Sequence, residues 1–144
     1  GLEDAELRAR LHHLHMVQWA YLHVWRGEPV RPRELGTFPT MAAVRAWARE
    51  YYRELPTCLV SASGEDVGRE VRFPWAERLV QRFGTVQPAR WTDSVLQVAL
   101  HSSHHRGQVA RRLRELETEA PLTDYIAWVW TGRPEADWGS EEAA

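Results

Sequence analysis

Residues 92–117 read TDSVLQVALHSSHHRGQVARRLRELE, and this stretch decides the fold. Apolar side chains recur at three- and four-residue steps through Trp91, Val95, Val98, Val109, Leu113 and Leu116, the stripe of a helix that covers a core. Thr92 is suited to cap its start, and Pro121 stops the chain from continuing it. The predicted helix covers about 93–117. His101 and His105 sit one turn apart on the edge of the stripe, beside Ser94. Side chains at i and i+4 are helix neighbours, so their ring nitrogens can meet at one point. His104 points instead toward Arg111 and Glu115.

Upstream, residues 3–26 lack Pro and Gly and end at Gly27-Glu28-Pro29, which predicts a helix of several turns with a glycine stop. On a wheel of about 100° per residue, His13 falls within an apolar arc of Ala9, Met16, Val17, Ala20 and Val24. His12, His15 and His23 fall on the opposite arc with Arg8, Trp19 and Arg26, facing solvent or a partner. Residues 28–39 hold Pro29, Pro32, Gly36 and Pro39 and predict a loop. Thr40 opens a second helix over about 41–55, which Pro56 kinks or ends. Arg69 to Trp75 (REVRFPW) alternates like a short extended piece, and 76–90 reads as irregular with a helical turn near Glu77 to Phe83. Asp124 to Trp130 predicts a short final helix. Residues 1–131 thus form one domain, and 132–144 a loose polar tail.

The whole chain is all-α in this reading, at a size of 144 residues that suits one core. All 18 basic residues are Arg and the net charge is −2, so no general field attracts nucleic acid. Cys58 is the sole cysteine. A reducing, cytoplasmic setting is expected, and no apolar run approaches the ~20 residues that span a bilayer.

All 7 histidines lie on the first and last long helices. A lone His on an apolar face is more often a hydrogen-bonded core residue than a ligand, and an i,i+4 His pair arises by chance. The conjunction of His13 with His101 and His105 is what points to a metal site. Three neutral imidazoles leave a fourth position for water or a thiolate, as in catalytic zinc sites, and imidazole also suits nickel, copper and iron. No Ser-His-Asp triad, phosphate-binding glycine loop or C-x-x-C pair is present, so in an enzyme the metal would carry the chemistry.

At His101, His105, Arg106, Gly107 and Gln108 the sequence resembles the DinB-like (YfiT-like) superfamily of metal-dependent hydrolases and thiol-dependent transferases, which carries H-x-x-x-H-R-G-Q on its last bundle helix. Three further pieces are similar: Arg72-Phe73-Pro74-Trp75, Asp124-Tyr125 followed by Trp128, and His13-Leu14 ahead of Gly27. The resemblance implies an up-down four-helix bundle holding one divalent ion (Zn, Ni or Fe) on His13, His101 and His105. It also implies a small-molecule substrate, a low-molecular-weight thiol in the transferase case, and a homodimer. Two departures stand out. The family has a helix ahead of the His13 helix, so the bundle would be completed by the final helix, a partner chain or a preceding segment. The family's glycine after the last helix is replaced by Glu117-Thr118-Glu119.

Gly107 reads as a close helix–helix approach. Gln108 and Arg106 read as residues that support the site from behind or touch substrate, with a surface role and a structural ion pair as their plain alternatives. Asp93 and Asp124 suit caps or turns, Cys58 a small buried hydrophobe, and Arg111, Arg112 and Arg114 a solvated face. Trp19, His15 and His23 could form a dimer surface. The alternative to an enzyme is a non-catalytic bundle that binds metal or a small ligand.

Overall fold

A computed structural model describes residues 2–138, and it is mostly helical. Helix α1 spans Ala5–Arg26, α2 Met41–Tyr52, α3 Leu55–Val60 and α4 Gly64–Gly68. Strand β1, Glu70–Val71, pairs antiparallel with β2, Ala89–Arg90, and α5, Ala76–Phe83, lies between them. Helix α6, Trp91–Glu115, follows β2 directly, and α7 is Tyr125–Trp130.

Local chemistry sets the boundaries. Asp4 caps α1 by accepting from Leu7 N–H at 2.8 Å. Gly27 ends it in the left-handed conformation (φ 70°), while Glu28 N–H returns to His23 C=O at 2.8 Å. Thr40 caps α2. Pro56 occupies the first turn of α3 rather than kinking α2, a place where no N–H is needed. The start of α6 corrects the expectation for Thr92. The two-stranded ribbon feeds straight into the helix, so the cap falls at Arg90, whose N–H donates to the Asp93 carboxylate at 2.8 Å. Thr92 bonds the Val67 carbonyl instead.

Helices α1 and α6 pack antiparallel along most of their lengths. Their partners run in opposite order: Asp4 with Arg112, Arg10 with Gln108, Gln18 with Ser102, and Trp25 with Ser94. Helix α2 runs parallel to α1, since Glu3 accepts from Met41 N–H near one end and Arg26 pairs with Glu54 near the other. The up-down alternation expected of consecutive helices therefore fails for this pair. The 27–40 connection carries the chain back along α1 before α2 begins.

The core lies between α1 and α2 and continues to the start of α6. It is built from Trp19, Leu22 and Trp25, from Val44, Trp47, Ala48 and Tyr51, and from Phe38, Val71 and Trp91. Aromatic rings supply much of its area, with Phe38 stacked on Trp47 at 4.7 Å. Its two deepest polar groups are satisfied by side chains across the α1–α6 seam: Trp25 Nε1 donates to Ser94 Oγ at 2.7 Å, and Gln18 Nε2 donates to Ser102 Oγ at 2.9 Å. Beyond Gly132 there is no regular structure up to residue 138, yet Trp138 packs against the core and its ring lies 5.5 Å from that of Tyr52. The rest of the predicted loose tail lies outside the described residues. Among the described residues no helix is long and apolar enough to cross a membrane.

Candidate metal centre

His13, His101 and His105 come together where α1 and α6 face each other. Each offers a ring nitrogen, and the three nitrogens lie within 4.8 Å of one another. Ring centroids are 5.2 Å apart for His13–His101, 4.7 Å for His13–His105 and 4.2 Å for His101–His105. Tetrahedral zinc with Zn–N bonds near 2.0–2.1 Å holds its nitrogens ~3.3 Å apart, so small side-chain rotations bring all three to a common point.

His13 is the exposed member, whereas His101 and His105 are half-buried. This corrects the wheel, which set His13 in the core. Helix α1 is covered on two flanks, by α2 and by α6, and the trio lies where the α1–α6 seam opens to solvent. The other flank holds the residues assigned to the polar arc. His12 lies against Phe38 and Trp47 and bonds the Arg33 carbonyl at 2.8 Å. Trp19 is buried against His23 and Trp47, so Trp19, His15 and His23 do not form an outward surface. His15 joins a chain of hydrogen bonds through the interior. Its Nδ1–H donates to Tyr51 Oη at 2.8 Å, Tyr51 donates to Gln18 Oε1 at 2.9 Å, and Gln18 donates to Ser102. The signal for this second buried flank was Trp19 amid the polar arc: a large aromatic is poorly placed on a solvated face.

The trio is supported by Gln108. Arg10 is donor-only, and its contact at 3.2 Å with Gln108 Oε1 fixes that atom as the oxygen. His105 Nδ1, 2.9 Å from the same oxygen, must then carry a proton and donate, which leaves Nε2 as its free lone pair. Gln108 Nε2 donates in turn to His104 Nε2 at 2.8 Å. Metal-binding histidines typically have this kind of partner behind the ring. Arg106 is exposed, pairs with no acid among the described residues, and lines a groove with Leu14 and Val109 rather than the trio.

The electrostatics favour the neutral form of His13 and His101. Burial first, then repulsion from His105, His13 and His104, holds His101 down to about 4. His13 is lowered by the loss of water around its ring and by His105 and His12. His101 Nδ1 is buried without a hydrogen-bond partner, a cost that folded proteins seldom leave unmet. Three rings in contact, with no hydrogen bond among them and one unmet nitrogen, form a donor set that fits a divalent cation.

The remaining candidates have structural roles. Asp93 and Asp124 cap α6 and α7. Arg112 is not part of a solvated face: it grips Asp4 at 2.7 Å, and this guanidinium holds the Asp4 carboxyl down to about 2. Cys58 is half-buried and its thiol is pushed up by burial, the opposite of an activated nucleophile. Gly107 approaches nothing, since a Cβ there meets no atom within 4 Å. The close-approach reading of this residue is therefore wrong. Compared with protein-family models and with curated proteins, the chain finds no match in either.

Proposed function

We propose that this chain is a metal-dependent enzyme of the DinB-like kind, with one divalent ion held by His13, His101 and His105. The carrying observation is that three imidazoles from two sequence-distant helices bring ring nitrogens within 4.8 Å of one another, with His105 oriented by Gln108. Zinc, nickel and iron all accept such a donor set. In the same reading α1, α2 and α6 are three long members of a four-helix bundle, and the H-x-x-x-H-R-G-Q segment of α6 supports it.

An ion held by three neutral imidazoles acidifies water or a thiol and polarises a carbonyl. The chain's own residues supply the frame. His101 and His105 are set one turn apart by α6, and Gln108 keeps the His105 proton on Nδ1. His13, on the exposed rim, leaves one side of the centre open to an incoming molecule. The reaction is hydrolysis or transfer of a low-molecular-weight thiol to an electrophile. Turnover that requires free thiol marks the second, and turnover without it the first. Bound metal with no turnover on either substrate class favours a non-catalytic binding role.

Elemental analysis of the purified protein beside His105→Ala tests the site. About one divalent ion per chain is expected in the parent and a large loss in the variant. Equal metal in both removes the centre.

A further inference from the structure

A groove of about 340 Å³ ends on His101. Met16 and Val17 of α1 form one wall, Val30 of the following loop and Trp75 face them, and Gln97 of α6 lies beside His101. Gln97 and His101 are i,i+4 neighbours on the same helix face. No Asp, Glu, Arg or Lys lines this groove. Gln97 is exposed, and its side-chain amide makes no hydrogen bond to another described residue. The contrast with the hollow between α1 and α2 is chemical: that one is lined by Arg26, Arg33, Glu50 and Glu54 and contains none of the three histidines.

We infer that this groove is the substrate cleft of the centre. Its substrate is an uncharged small molecule with an apolar body, a single ring or a short branched chain, joined to one carbonyl- or amide-type group. The inference rests on the metal reading above. The apolar body leaves water against Met16, Val17, Val30 and the indole of Trp75. The polar group sits at the His101 end, where the Gln97 amide offers one donor and one acceptor to a neutral partner. A charged body would lose its hydration here and find no opposite charge in return.

Two neutral hydroxamic acids share a metal-binding head and differ in body, phenyl in benzohydroxamic acid and methyl in acetohydroxamic acid. Titrated calorimetrically into zinc-loaded protein, the phenyl compound is expected to bind at least about tenfold tighter, the size of effect that a buried ring supplies. Val30→Glu brings a carboxylate to the groove from a loop, and Met16→Trp fills it with apolar bulk from α1. Each is expected to abolish the phenyl advantage while zinc content and acetohydroxamate affinity stay at the parent's values. Equal affinities in the parent, or an advantage that survives both substitutions, overturns the inference. Metal-free protein separates this failure from that of the metal reading. Benzamide is expected to quench tryptophan emission in the metal-free parent and not in Val30→Glu, and absence of that quenching overturns the groove. Quenching without zinc uptake overturns the metal reading instead.

Discussion

Two residues of α6 and its end place glycine chemistry in the wrong order. Gly107 sits mid-helix with open space where a side chain would go, so it bears the helical cost of glycine with no packing return. Gly107→Ala is expected to stabilise by about 1 kcal/mol in urea unfolding with metal content unchanged. Glu117 is the converse. It takes a left-handed backbone (φ 53°) just past α6, and Thr118 N–H reaches back to Leu113 C=O at 2.9 Å. This is the helix stop that favours glycine. Glu117→Gly is expected to stabilise by about 0.5–1 kcal/mol, the relief of left-handed strain less the added freedom of the unfolded chain. At the site, Gln108→Ala frees the His105 ring and is expected to weaken metal affinity some 10–100-fold in competition with a chelator. Unchanged affinity would show that Gln108 is a bystander. The His101/His105 pair was legible in the sequence because i,i+4 spacing is a local property. The exposure of His13 was not, because it depends on where α6 crosses α1.

At the scale of elements, α1 shows what a wheel misses. A single hydrophobic arc assumes one covered side, whereas α1 is flanked by both α2 and α6, so His12, His15 and Trp19 are packed. The limits of α1, the existence of α6 and the break at Gly27 were readable because caps and stops act within a few residues. The start of α6 was misplaced because β1–β2 pairing, a non-local event, fixes it. The buried His15 chain carries a pH consequence. Burial holds His15 down to about 4, below the ~6.5 of an unfolded chain, so between those values the unfolded state binds the extra proton. Stability is therefore full above about pH 6.5 and declines as the pH falls toward 4. His101 acts in the same direction over the same window. Urea midpoints of the metal-free protein at pH 7.5, 6 and 5 are expected to fall in that order, and a flat profile would contradict the buried placement. Tyr51→Phe, which strips His15 Nδ1 and Gln18 Oε1 of their shared partner, is expected to cost about 1–3 kcal/mol.

For the whole molecule, helical content follows from periodicity, but helix direction does not. The parallel run of α1 and α2 follows from the return path of 27–40, which no residue pattern encodes. The candidate centre joins α1 to α6, so an ion there braces the seam. Adding zinc is expected to raise the thermal midpoint of the parent in a concentration-dependent way and to leave His105→Ala unmoved; equal shifts would place the ion elsewhere. The distance in sequence between His13 and its two partners has a further consequence for biogenesis. A ribosome adding ~5–20 residues per second releases α1 several seconds before the segment that completes the trio. Until then the nascent chain presents Trp19 and Trp25 without their later neighbours. Any ion at the proposed centre would accordingly be taken up only after residues 101–105 have left the ribosome, because the emerging first helix offers His13 alone.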